Sequence, residues 1–221
     1  MRVLKSLLNA VNPELSRHLL QQYFFLLERE VVGECDTLLD VGCGRDSPVR
    51  HFSRRLTKVV GVDRHVPYLE ESRAAGIHHE YRQADVLEIG DAFAPKSFDC
   101  VVALDLIEHL PKDDGLRLIA LMERIARKKV IIFTPNGFLE QRAYDDNSLQ
   151  EHLSGWEPAE MRALGYRVTG VNGWRPLRGE RGMIRHRPEW IWRKVALATL
   201  LATEPRPEHA FQMLCVKELT R

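Results

Sequence analysis

Apolar residues fall into two patterns along this chain, and the two alternate. Short unbroken runs, bounded by glycine, proline or acidic residues, read as buried strands. They lie at Thr37–Val41, 58–62, Phe98–Leu104 and 129–133, with a weaker run at 81–84 and two more at 166–171 and 210–219. Between them, apolar positions return every three or four residues. Asn12 caps and Pro13 opens a helix that the pattern carries to about Glu30, and Ser47 and Pro48 open another that reaches about Leu56. A helix over 67–75 stops at Gly76. A longer one, capped by Asp113 or Asp114, aligns Leu118, Leu121, Met122 and Ile125 on one face, and a further helix is predicted around Pro158–Ala163.

Strands alternating with helices predict an α/β domain, with a parallel sheet covered on both faces. The length of 221 residues suits a single domain over 1–221, with an N-terminal helical segment over 1–30. Ligands of such sheets bind beyond the carboxyl ends of the strands. Asp40, Asp63, Asp85 and Asp105 all sit in or at the ends of strands on that side. Packing alone does not call for four acids there.

Composition narrows the picture further. An apolar fraction of 44% and a charged fraction of 29% are ordinary for a soluble globular chain. The formal net charge of +1 gives no general footprint for nucleic acid, so any basic surface must be local. The four cysteines have no CxxC spacing and are read as reduced thiols. Lys5 interrupts the short N-terminal apolar stretch, which argues against a signal peptide, and WIWRKVALATLLA carries Arg193 and Lys194, which argues against a span. These features predict a cytoplasmic chain.

The stretch LLDVGCGRDSP joins a strand to a helix start through two glycines spaced by one residue. Strand, glycine turn and helix start is a layout that cradles a nucleotide. A dinucleotide site would continue to a third glycine where this chain has Ser47, and Asp40 two residues before Gly42 would sit awkwardly beside a pyrophosphate. NAD is therefore not expected. LDVGCG, then GVD and AD, then DCVVALDLIEHL, follow one another from Thr37 to Phe133 in the order and spacing of one family. The chain resembles a class I S-adenosylmethionine-dependent methyltransferase of the small-molecule or glycan-associated bacterial type. The resemblance implies a Rossmann-like, seven-stranded, mostly parallel sheet, with S-adenosylmethionine as cofactor and S-adenosylhomocysteine as product. It further implies that Gly42, Cys43 and Gly44 approach the methionine part of the cofactor, with Asp40 beneath the turn near its amine. Asp63 would hold the ribose hydroxyls, Arg64 and His65 would flank the adenosine, and Asp85 and Val86 would meet the adenine. The Leu104 backbone would face the ammonium. Asp105 is left between this site and a simple cap of the next turn.

A sulfonium methyl is already activated, so such an enzyme mainly aligns a nucleophile and excludes water. An alcohol must also lose a proton, which favours a nearby histidine. His152, in DDNSLQEHLSGW, is the expected general base, and His109, in IEHL, is the second candidate. Asp145–Asn147 reads as a turn and cap, so no metal is expected. TPNG follows the fifth strand, whereas the NPPY-type motif of base-amine methyltransferases follows the fourth, so nucleobase methylation loses support.

The expected reaction is O-methylation of a small molecule or a saccharide, lipid-linked acceptors included. The alternatives are an N- or C-methyltransferase and a catalytically silent cofactor-binding subunit. Between the sixth and seventh strands, where the family commonly has a short connection, the chain inserts about 172–209. Arg175, Arg178, Arg181, Arg185, Arg187, Arg193 and Lys194 collect there beside Trp190 and Trp192. Two roles follow: an amphipathic helix packed on the sheet, or a lid that meets anionic lipid over 175–202 at the inner face of the membrane. The sequence leaves the oligomeric state open.

Overall fold

A computed structural model describes residues 13–143, 148–179 and 182–219. Seven strands form one sheet: β1 (Thr37–Val41), β2 (Lys58–Asp63), β3 (Glu80–Gln83), β4 (Phe98–Leu104), β5 (Ala126–Pro135), β6 (Arg167–Trp174) and β7 (Ala210–Glu218), in the order β3-β2-β1-β4-β5-β7-β6. The pairs β1–β2, β2–β3, β1–β4 and β4–β5 are parallel. β7 runs antiparallel to both β5 and β6. The sheet grows in one direction from β1 and in the other from β4. That reversal opens a crevice at their carboxyl ends, where Asp40 and Asp105 are placed.

Successive residues of a strand face opposite sides of the sheet, and both sides are buried. On one side Leu39, Val60, Val101, Val130 and Ile132 pack against Leu118, Met122 and Ile125 of α4 (Lys112–Ile125). On the other, Leu38, Val59, Cys100, Val102 and Ile131 pack against Leu26, Leu27 and Val31 of α2 (Gln22–Val31). All four cysteines are buried free thiols.

Several expected elements differ. The helix expected from Pro13 to Glu30 is two helices, α1 (Pro13–Leu20) and α2, with Gln21 at φ −141°. The break lets His18 and Gln22 converge on Glu204, at 2.5 and 2.9 Å, while α2 lies along the sheet. Asn12 lies outside the described residues. After the glycine turn, Ser47 does accept from the Val49 N–H, but two 3₁₀ turns follow, Pro48–His51 and Ser53–Arg55, and no α-helix. Phe52 leaves the helical region at φ −142° with its ring buried in the core, which ends the first turn. α3 (Val66–Ala74) gives way to Gly76 at φ +61°, as expected. Asp113 and Asp114 lie in the first turn of α4, where they complement the helix dipole, and Pro111 holds the cap position.

α5 (Pro158–Ala163) matches its expected range. Within the insertion, α6 (Glu189–Thr203) buries Ala196, Leu200 and Thr203. Gly170 and Gly173 on β6 make that approach feasible: a Cβ there would lie 2.2 Å from the Thr203 carbonyl oxygen and 2.7 Å from that of Ala196. The packing role of the insertion is thus present. Its opposite face carries two exposed apolar side chains, Trp190 and Leu201, at 63% and 52%.

Candidate functional site

Two cavities meet at the carboxyl ends of β1, β2, β4 and β5. The first, about 570 Å³, is lined by Gly42, Cys43, Gly44, Asp63, Arg64, His65, Asp85, Val86 and Leu104 among others. The second, about 360 Å³, is lined by Glu108, Leu139, Gln141, His152, Gly182, Phe211 and Gln212. Asp105, His109 and Gln150 line both. Nine of the ten residues expected on the cofactor are therefore brought together.

Local chemistry explains how. Gly42 and Gly44 adopt φ +67° and +56°, a region that side chains other than glycine rarely enter. A Cβ on Gly42 would also strike the Leu106 side chain at 2.5 Å, whereas the same direction from Gly44 is open. The Asp63 carboxylate is clamped by the Gly44 N–H at 2.8 Å and the His65 N–H at 2.7 Å, so β2, the glycine turn and the start of α3 are tied at one point. Each oxygen keeps a lone pair for another donor. Asp85 accepts from the Leu87 N–H at 2.9 Å and from Arg64 at 2.8 Å. Burial pushes its carboxyl up, but those two partners outweigh it and hold the group below the usual aspartate range.

Asp40 is the exception. It is 1% exposed and outside the cavity wall, because its Oδ2 accepts from Ser47 Oγ at 2.5 Å and pairs with His78 Nε2 at 2.8 Å. These two partners make Asp40 a strut beneath the turn. His78, fully enclosed, is the partner that sequence reasoning missed.

Asp105 does not cap the next turn. Its φ is +50°, its N–H donates to the Phe133 carbonyl at 2.8 Å, and its Oδ1 accepts from Gln212 Nε2 at 3.0 Å. It is an exposed side chain on the wall of the cleft, with protein crowded around its inner side. Partial loss of water on that side raises its carboxyl to about 7, against the lowering effect of the Gln212 bond. Burial, with Asp105 second, likewise pushes Glu108 well up, although Thr134 Oγ1 donates to Glu108 at 3.0 Å. Tyr23 of α2 stacks on Phe133 at 3.7 Å, and its buried hydroxyl has no hydrogen-bond partner among the described residues. Burial raises the Tyr23 phenol, and the charges of Asp105, Asp40 and Glu108 raise it further. Tyr23 lines neither cavity, so this unpartnered hydroxyl stands behind the wall of the site. No sequence signal marked Tyr23.

On the second cavity, His109 Nδ1 lies 3.0 Å from the Glu151 carbonyl and His152 Nδ1 lies 2.6 Å from that of Leu139. A carbonyl only accepts, so each Nδ1 carries the hydrogen and each neutral ring keeps its lone pair at Nε2. The rings meet edge to face at 4.7 Å. Burial lowers both imidazoles, His109 to about 4, so both are neutral at pH 7. Glu108, His109 and His152 also bring one ligand atom each within 4.8 Å of one another, a set chemically able to hold a divalent cation. Asp145–Asn147 and Arg181 lie outside the described residues.

Residues 39–134 match the family described as methyltransferase domain. The chain is 33% identical over 100 residues to the ubiquinone biosynthesis O-methyltransferase of Hahella chejuensis, a match covering 43% of this chain and 41% of that protein. It is 30% identical over 166 residues to the protein of the same name from Azorhizobium caulinodans, covering 65% and 64%. Across five of the curated relatives it matches, the chain spans between 31% and 64% of their length. A SAM-dependent methyltransferase structure from Archaeoglobus fulgidus superposes with a TM-score of 0.56 over 94% of this chain and 100% of that one, at 16% identity. At that identity the likeness is one of fold.

Proposed function

We propose that the chain is a class I S-adenosylmethionine-dependent methyltransferase, with its family match over residues 39–134, and that it methylates an oxygen of a small molecule or saccharide. The observation that supports this reading is the meeting of a cofactor-sized cavity and a second, polar cavity at Asp105, His109 and Gln150. Bound S-adenosylmethionine supplies a methyl group already activated on a sulfonium. The chain's own residues then have to hold the two molecules in line, keep water out and take one proton.

Gly42, Cys43 and Gly44 offer backbone to the methionine part, and Leu104 ends the strand beside it. Asp63 accepts from the ribose hydroxyls while the Gly44 and His65 N–H groups keep it fixed. Arg64 and His65 flank the adenosine, with Asp85 and Val86 at the adenine. On the acceptor side, three amides (Gln141, Gln150 and Gln212) and the Phe211 ring suit a hydroxyl-rich molecule. His152 takes the acceptor's proton at Nε2, the nitrogen left without hydrogen by the Leu139 bond, and His109 stands beside it.

The same reading places the chain in the cytoplasm, at an anionic lipid surface. α6 presents Trp190, Leu197 and Leu201 outward, with Arg187, Arg193 and Lys194 beside them, a composition suited to an interface. No helix among the described residues is long and apolar enough to cross a membrane.

Calorimetry of S-adenosylmethionine binding tests the core of the proposal. Asp63→Ala is expected to weaken binding by at least about 1.5 kcal/mol, roughly tenfold, through loss of charge-assisted hydrogen bonds. Unchanged affinity would remove Asp63 from the ribose, and no binding by the native chain would remove the cofactor.

A further inference from the structure

A line of hydrogen-bonded amides, buried at Gln22 and half-buried at Asn172 and Gln212, runs from the helical layer to the site and ends on one carboxylate. Gln22 of α2 is 3% exposed; its Nε2 donates to Glu204 at 2.9 Å, and its Oε1 accepts from the Asn172 N–H at 3.0 Å. Asn172 Nδ2 donates to Gln212 Oε1 at 2.6 Å, which leaves Gln212 Nε2 to donate to Asp105 Oδ1 at 3.0 Å. Each amide thus fixes which end of the next one faces forward. The line joins α2, β6, β7 and the end of β4, and two of its members are constrained: Asn172 and Asp105 are non-glycine residues at φ +66° and +50°. Asp105 takes part in no ion pair among the described residues, and its neighbours Glu108 and Tyr23 bring no positive charge.

The position of this carboxylate says what it meets. Asp105 lines both cavities, so whatever passes from the cofactor to the acceptor passes it. In the proposed reaction that group is the methyl, carried by a sulfonium that is positive before transfer and neutral after it. We propose that Asp105, held by the Gln22–Asn172–Gln212 line, is the countercharge to the sulfonium and makes the chain prefer the charged cofactor over its uncharged product. This rests on the cofactor reading above. Asp105 is then a binding and specificity residue, Gln212, Asn172 and Gln22 are positioning residues, and His152 keeps the proton.

The sign of the pH effect follows. Asp105 is an acid with its carboxyl raised to about 7, so its charge is present above that value and lost below it. Affinity for S-adenosylmethionine is expected to fall as pH drops through about 7, while affinity for S-adenosylhomocysteine stays level. The groups facing Asp105 are Glu108 and His109 in its own turn, Tyr23 and, beyond it, Asp40 from the helix and β1 side, and Gln212 from β7. His109, lowered to about 4, stays neutral across this window.

Calorimetric titration with each of the two cofactor forms at pH 6 and pH 8.5 tests the proposal without any acceptor. At pH 8.5, Asp105→Asn is expected to lower the preference for S-adenosylmethionine about tenfold, with binding of S-adenosylhomocysteine within about twofold of native. Gln212→Leu, which keeps the carboxylate but removes its donor, is expected to move the midpoint of the pH dependence upward. Equal losses for both forms in Asp105→Asn would reduce Asp105 to a structural role, and no change for either would remove it from the sulfonium; both outcomes leave the cofactor reading standing. Failure of the native chain to bind either form would overturn that reading and this proposal together.

Discussion

Asp40 and Asp63 stand in neighbouring strands, and their carboxylates have opposite environments. Asp63 keeps lone pairs open to a cavity; Asp40 is enclosed by Ser47 and His78. In sequence both are an acid beside a glycine turn, so the difference was not legible there. It depends on His78, which arrives from a loop with no pattern of its own. The glycines were legible because a positive φ restricts the residue type directly. Tyr23 and Gln212 were not, since an aromatic on an apolar helix and an amide in a strand read as packing. His152 carries a prediction at this scale. His152→Ala is expected to lower turnover about a hundredfold or more with cofactor affinity nearly unchanged, measured as S-adenosylhomocysteine formed with an accepted hydroxyl compound. Because burial lowers this imidazole, its neutral form persists below pH 6.5 and the base stays available there. A chelator such as EDTA is expected to leave turnover intact. Loss restored by zinc or magnesium would instead make Glu108, His109 and His152 ligands.

Elements were legible where burial alone selects the sequence. β1 and β4 are buried along nearly their whole length and match their expected ranges, because only apolar side chains fit between two helical layers. Direction was not legible: an apolar run reads the same either way, and only pairing shows β7 reversed. The 3₁₀ turns after Pro48 were missed because the capping signal is shared by both kinds of helix. Packing between elements also overrides propensity in α4. Gly115 lies within this helix, where alanine normally gains about 1 kcal/mol. Here a Cβ would lie 2.5 Å from Cζ2 of Trp156, which is fully buried with its indole N–H 3.4 Å from the Ile107 carbonyl. Gly115→Ala is therefore expected to destabilise by roughly 1–3 kcal/mol, lowering Tm by several degrees. A raised Tm would show that the ring moves aside freely.

At the scale of the whole molecule, alternation of strands and helices predicted the class, and seven runs predicted seven strands. The spatial order was beyond periodicity, because neighbours in a sheet are set by crossovers and not by spacing. The outward face of α6 belongs to this scale too, since it concerns what the molecule meets. Flotation with vesicles containing anionic lipid is expected at low salt and lost at high salt, because screening shortens the reach of Arg187 and Lys194. Arg193 contributes less, being paired with Glu189 at 2.7 Å, and Arg187 shares that carboxylate more loosely at 3.8 Å, which leaves Lys194 the strongest contributor. Absence of flotation at low salt would leave α6 its packing role alone.

The reversal of β7 bears on how the polypeptide reaches this state during synthesis. β6 leaves the ribosome before the strand that separates it from β5. Until that strand arrives, β5 presents a bare row of amide and carbonyl groups, and β6 has no neighbour to pair with. Such an edge invites pairing with other chains. Loop closure over the inserted helix must come first, so the interval is set by translation and by the time α6 takes to dock on β6. A chaperone that shields exposed strand edges would find its moment of greatest use on this nascent chain in that interval.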